Sequence, residues 1–298
     1  MKCIIMNYTL TGRTSMEQKK DFSLLNCIGT ALLAIFFTIP VHELFHALTS
    51  LAYGDTVLCF SAGAVLPGYT LDYSAMPVFH RIMVAGGSAS ILNAIIGIIL
   101  FVLILKLKTG PLLRVFLIQL MGCHLTEGFG YFLIGGLFGS GDWGWVFNAL
   151  KDRPDVITFL RIILIICGSI GIVGLFFLLN YMSYYFIEDK TNLKERVNVA
   201  FKLHLLVLIL GFTWGMIVSA ISPANASGEL NLGLGLLYNM MWIPFFWGFM
   251  FTGVMKTLPP KESRFIYKPP SKPNFVIFGL GVALMLFDIL ILGPGIYF

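Results

Sequence analysis

Long apolar runs separated by short charged segments dominate the chain. Residues 22–41 form an uninterrupted run without a charge, long enough at about 1.5 Å per helical residue to cross a hydrocarbon core of about 30 Å. Further charge-free runs cover residues 82–105, 162–187, 203–228 and 230–255. Two more apolar stretches, 115–141 and 275–298, each hold a single acid, Glu127 and Asp288. The pattern predicts an all-α polytopic bundle of about seven transmembrane helices.

Lys and Arg fall on alternate connections: Lys2, Arg13, Lys19 and Lys20 before the first run, Lys106, Lys108 and Arg114 after the second. Lys190, Lys194, Arg196 and Lys202 follow the fourth run, and Lys256, Lys261, Arg264, Lys268 and Lys272 the sixth. Short cytoplasmic loops are enriched in these residues, which puts the N-terminus in the cytoplasm. A cleaved signal peptide would bring its apolar region nearer the start, so the chain is expected to keep Met1.

Composition narrows the function. Hydrophobic residues make up 57% and charged residues 12%, against about 45–50% and about 25% in soluble domains, which excludes a soluble or a disordered protein. The net charge of +5 is modest and spread along the chain, so no nucleic-acid partner is expected. The cysteines Cys3, Cys27, Cys59, Cys123 and Cys167 form no C-x-x-C pair and suggest neither a disulfide framework nor a thiolate metal site. The lipid bilayer is the expected surroundings, as an integral multi-pass protein of the cell (inner) membrane.

The strongest chemical signal is His42-Glu43-Leu44-Phe45-His46, at the outer end of the first predicted helix. Histidines four residues apart share one helical face, so both imidazoles can reach one Zn2+ ion while Glu43 stands beside it as a general base. Ionisable groups at membrane depth are costly and default to a functional reading. The alternative is a histidine pair hydrogen-bonded within a bundle.

A catalytic zinc takes three protein ligands and an open position. Asp142 and Glu127 are the two candidates for the third ligand. Asp142 is favoured, because it follows Gly135-Gly136-Leu137-Phe138-Gly139-Ser140-Gly141, where glycines can break the third helix and turn the backbone toward the metal. Otherwise Asp142 would cap the short segment that follows, and Glu127, one turn from His124, would make an interhelical bond or orient a ligand histidine.

Asn93, central in the second helix, either binds substrate backbone near the metal or bonds across helices beside Gly86, Gly87, Ser88 and Ala89. Residues 55–80 suggest either a hairpin at Thr56-Val57-Leu58-Cys59-Phe60, Gly63 and Pro67-Gly68, whose open edge could pair with an extended substrate, or a plain re-entrant connector. Arg161 is expected to pair with Asp288. The aromatics Trp242, Phe245, Phe246, Trp247, Phe249 and Phe251 read as lipid-facing or interface packing. Asn225-Ala226-Ser227 matches a glycosylation acceptor, and residues 256–273 read as an extended Pro-rich linker.

Over roughly residues 22–150 the sequence resembles the intramembrane site-2 proteases. The resemblance rests on H-E-x-x-H in the first helix, on Ala85-Gly86-Gly87-Ser88-Ala89-Ser90-Ile91-Leu92-Asn93 as a loose counterpart of the family's A-G-P-x-x-N stretch, and on an acid after the third helix. Gly87 stands where the family tends to have Pro, Ser90 where it has Asn, and there is no L-D-G in the third helix. The resemblance implies a zinc metalloprotease core over residues 1–150 and an accessory bundle of about four helices over residues 151–298. It also implies His42 and His46 as zinc ligands, Glu43 as the catalytic base and a membrane-protein substrate. Readings from other classes are a metal-binding membrane transporter and a non-proteolytic zinc hydrolase acting on a small membrane substrate.

Overall fold

The computed structural model describes residues 22–68, 70–223, 242–255 and 267–298. Asn225 and most of residues 256–273 lie outside them, as does the first half of the sixth predicted run.

Helix α1 runs from Leu24 to Ala52, eleven residues past the end of its apolar run. It continues through the histidine motif because its polar side chains point into the protein: His42, Glu43 and Ser50 are all buried. Thr30 and Thr38 return their hydroxyls to the Asn26 and Ala34 carbonyls at 2.9 and 2.8 Å, as hydroxyls at membrane depth must. Gly54, at φ 87°, ends the turn after α1.

The hairpin of residues 55–80 forms as predicted. Strands β1 (Val57–Phe60) and β2 (Val65–Pro67) pair antiparallel, with an irregularity between Val57 and Cys59. A third strand, β3 (Ile296–Tyr297), joins the other edge of β1, so the order is β2-β1-β3. This small sheet is the departure from an all-helical architecture among the described residues. Among the described residues β2 pairs only with β1.

Helix α2 spans Val78–Lys106 and widens at Met83–Gly87, where Gly86 adopts φ 149°. Helix α3 (Pro111–Phe138) opens on a proline at its first turn and closes on Gly139 in the left-handed conformation, whose N–H returns to the Gly135 carbonyl at 2.8 Å. Short helix α4 (Asp142–Ala149) follows at once. Then come α5 (Pro154–Phe186), α6 (Leu193–Ile221), α7 (Ile243–Val254) and α8 (Phe275–Leu292).

Five of these, α1, α2, α5, α6 and α8, are long and apolar enough to cross a membrane. At 28 residues α3 extends about 42 Å, and α7 occupies the described part of the sixth run. The outward surface matches a membrane protein: α5 exposes Phe159, Ile162, Ile166, Ile170, Val173 and Phe177 along one stripe, which water would not tolerate as a continuous face.

One buried cluster extends from Phe22 to Leu292 and draws on both halves of the chain. Helix α8 lies against α1 so closely that a side chain at Gly29 would meet the Phe278 backbone at 2.8 Å. Asn26 secures that pair by donating to the Pro270 and Lys272 carbonyls and accepting the Asn274 N–H at 2.7 Å. The aromatic group near α7 divides in two: Trp242 and Phe245 are buried, whereas Phe246 and Trp247 face outward.

Candidate metal centre

His42 and His46 lie one turn apart on α1 with their Nε2 atoms 3.2 Å from each other. Asp142 reaches them from the start of α4: Oδ2 is 3.1 Å from His42 Nε2 and Oδ1 is 3.3 Å from His46 Nε2. Four ligands held tetrahedrally at about 2.0–2.1 Å from an ion sit about 3.3 Å apart. The two imidazole nitrogens are about that far apart, with one Asp142 oxygen beside each, and one ligand atom from each of the three residues lies within 4.8 Å of the others. Asp142 Oδ2 is sealed from solvent without a hydrogen bond of its own, an expensive state that an ion would relieve. These three residues could therefore hold a metal ion.

The glycines act as their spacing predicts. Gly139 ends α3, and Gly141, at φ 63°, reverses the chain into α4, so Asp142 points back at α1. The aspartate occupies the first helical position, and the position before it is Gly141, which has no capping side chain. Gly86 matters equally, since a Cβ there would stand 2.5 Å from the Asp142 carbonyl oxygen. Its positive φ and missing side chain let α4 seat against α2. Trp143, buried against Phe132, anchors the far side of Asp142.

His42 is held from two directions. The Tyr131 ring stacks on it with centroids 4.9 Å apart. The Asn93 amide lies 2.8 Å from its Nδ1 and 2.9 Å from Nδ1 of His124. The amide nitrogen faces His42 Nδ1 and the amide oxygen faces His124 Nδ1, so Asn93 donates to His42, accepts from His124 and fixes the orientation of both rings. Asn93 is thus engaged by two histidines, the interhelical alternative, and is fully buried. Tyr131 and His124 were not singled out as site residues, although they share the face of α3 that carries Glu127.

Glu43 and Glu127 are both buried in the wall of a cavity of about 900 Å³ that also contains the three ligand side chains. Glu127 stays outside the ligand group, which contains only His42, His46 and Asp142 among the described residues.

No protein-family model, curated protein or solved structure matches the chain. The site must be read from its own chemistry.

Residues 64–67, in and beside β2, line one side of the cavity, and Trp214, Val218 and Ser219 of α6 line another. At its polar end Arg81 grips both carboxylate oxygens of Asp152 at 2.6 and 2.8 Å and donates to the Met76 and Ser74 carbonyls. That guanidinium holds the Asp152 carboxyl below the usual carboxylate range and ties the end of the α4 segment to the start of α2.

The expected Arg161–Asp288 pair does not form. Arg161 donates to the Gly136 and Leu137 carbonyls at 3.0 and 2.9 Å, serving the C-terminus of α3, where orphan carbonyls attract a cation. Asp288 accepts the Trp214 indole N–H at 2.5 Å, which steadies the Trp214 wall of the cavity.

Proposed function

We propose that the chain is an intramembrane zinc metalloprotease, a divergent relative of the site-2 type. It would cross the cell (inner) membrane about seven times with its N-terminus in the cytoplasm and act on membrane-protein substrates. The observation that carries this reading is the convergence of His42, His46 and Asp142 beside Glu43 in one cavity. Two imidazoles and one carboxylate are a donor set that suits zinc.

A zinc ion held there would polarise a scissile carbonyl and make water acidic enough to deprotonate near neutral pH. Glu43 would take a proton from that water as its oxygen adds to the carbonyl carbon, and would pass the proton to the departing amine as the C–N bond breaks. Asn93 and Tyr131 keep His42 in the orientation that presents Nε2.

A helical substrate hides its carbonyls in its own hydrogen bonds, so it must be held extended. Support for this comes from the sheet: β3 occupies one edge of β1, whereas β2, which pairs only with β1 among the described residues, lines the cavity. Strand addition there would supply the backbone partners that lipid cannot.

The test is a mass-spectrometric comparison of membrane-protein fragments in cells expressing wild type or Glu43→Gln. Full-length substrates should accumulate and their truncated forms vanish in the variant. Matching profiles from a protein that still carries zinc would replace proteolysis with transport or small-substrate hydrolysis.

A further inference from the structure

Most acids lining the cavity have an evident partner. Asp142 faces the two histidines, Asp152 is gripped by Arg81, and Asp72 accepts the N–H and hydroxyl of Ser74 at 2.9 and 2.6 Å. Glu43 adjoins the ligands and is assigned the proton transfer. Glu127 is left over. Its side chain is only 3% exposed, it lines the cavity, and it makes no hydrogen bond among the described residues.

Its placement is specific. On α3 it stands between His124, which binds Asn93, and Tyr131, which stacks on His42, so it shares the helix face turned toward the ligands. Its charged surroundings are His42, Asp142 and Glu43, and a His42 that ligates a metal ion is neutral and no longer offsets it. A divalent ion would offset Asp142 and Glu43, while the two basic residues of the cavity wall, Arg81 and Lys151, belong to its polar end beside Asp152. A buried carboxylate kept without a partner calls for one delivered from outside.

An extended substrate brings such a partner. In an antiparallel strand the N–H and C=O of one residue point to the same side. A residue that turns its scissile carbonyl away from β2 toward the metal centre turns its own N–H the same way, and in lipid that N–H needs an acceptor. We propose that Glu127 is a substrate-recognition residue whose carboxylate accepts the backbone N–H of the residue contributing the scissile carbonyl. This rests on the protease reading and adds to it how the substrate strand is registered on the metal.

The experiment uses the zinc-loaded full-length protein in lipid nanodiscs and an N-acyl dipeptide hydroxamate of apolar residues, in which the hydroxamate carbonyl replaces the scissile one. A second probe carries an N-methyl group on the amide of its last residue, removing the N–H in question. Binding is measured to wild type, Glu127→Leu and the isosteric Glu127→Gln, with zinc content determined for each. N-methylation should weaken binding about tenfold in wild type, about threefold in Glu127→Gln and less than about twofold in Glu127→Leu. An equal penalty in wild type and Glu127→Gln overturns the proposal even if Glu127→Leu fails to fold. Loss of zinc from Glu127→Gln also overturns it, by making Glu127 part of the metal site. Both of those results leave the protease reading standing, whereas zinc-loaded wild type that binds neither hydroxamate removes that reading and this inference with it.

Discussion

Two buried histidine clusters sit in this bundle, and only one lines the cavity. In the second half of the chain His204 is fully buried on α6, with Nε2 2.6 Å from Ser183 Oγ on α5. Ser183 donates its own proton to the Leu179 carbonyl at 3.0 Å, so His204 must carry its proton on Nε2 and give it to that hydroxyl. Thr252 closes the group by donating to Asn180 at 3.1 Å, and none of these residues lines the cavity. In the first half, His42 and His46 aim Nε2 at each other and at a carboxylate beside open space. A polar residue in a membrane helix is therefore not a site by itself. What distinguishes the two clusters is that the first gathers two imidazoles and a carboxylate in the wall of a cavity, whereas the second, which leaves His204 Nδ1 without a hydrogen bond, does not line it.

The sharpest way to break the comparison is to remove the chemistry on one side only. Glu43→Gln should lower cleavage by at least about 100-fold, the usual scale of general-base loss, while zinc measured by elemental analysis stays at the wild-type level. His46→Ala should lose both zinc and activity. Zinc retained by His46→Ala would dissolve the proposed ligand set.

Gly86→Ala tests the support of that site from outside it. A Cβ at φ 149° facing the Asp142 carbonyl should cost about 1–3 kcal/mol in strain and weaken metal affinity, because relief requires α4 to move. Unchanged affinity in a competitive chelator titration would show that α4 yields without disturbing Asp142.

On the other side, His204→Ala should destabilise the protein by about 1–3 kcal/mol through loss of the buried hydrogen bond to Ser183, with zinc content and activity per folded molecule intact. A proteolysis-resistance assay alongside the activity assay reads both. Loss of zinc at unchanged stability would join the two clusters into one functional unit.

The smallest effect belongs to Asp152→Asn. Arg81 lowers the folded-state pKa of Asp152, so the pair adds stability above the ordinary carboxylate pKa and loses it as pH falls through the depressed one. With Asp152 half exposed the gain is modest. The thermal midpoint of wild type should exceed that of the variant at neutral pH, and the gap should narrow in acid. A gap that is constant across that range would assign the effect to packing instead.

Much of this site was legible along the chain because its determinants are local. The i, i+4 spacing of His42 and His46 places two ligands on one face in any helix, and the glycines at 139 and 141 break α3 wherever it packs. The hairpin of residues 55–80 was likewise readable from its turn residues. Other features joined residues far apart in sequence and carried no local signal. The engagement of Asn93 by His42 and His124, the capping of α3 by Arg161 in place of an ion pair with Asp288, and the capture of one sheet edge by residues 296–297 are of this kind.

The sequence by itself determined that the chain is a membrane-embedded helical protein, because apolar runs of this length can bury their backbone polarity only as helices in lipid. It also determined that two histidines and a glutamate share a helical turn. Only the tertiary structure decided which acid completes the group, because that choice depends on the φ of Gly86 and the reversal at Gly141 bringing α4 back to α1. It decided equally that Glu127 faces the cavity without a partner, since a carboxylate's partners come from whichever helices the fold sets beside it.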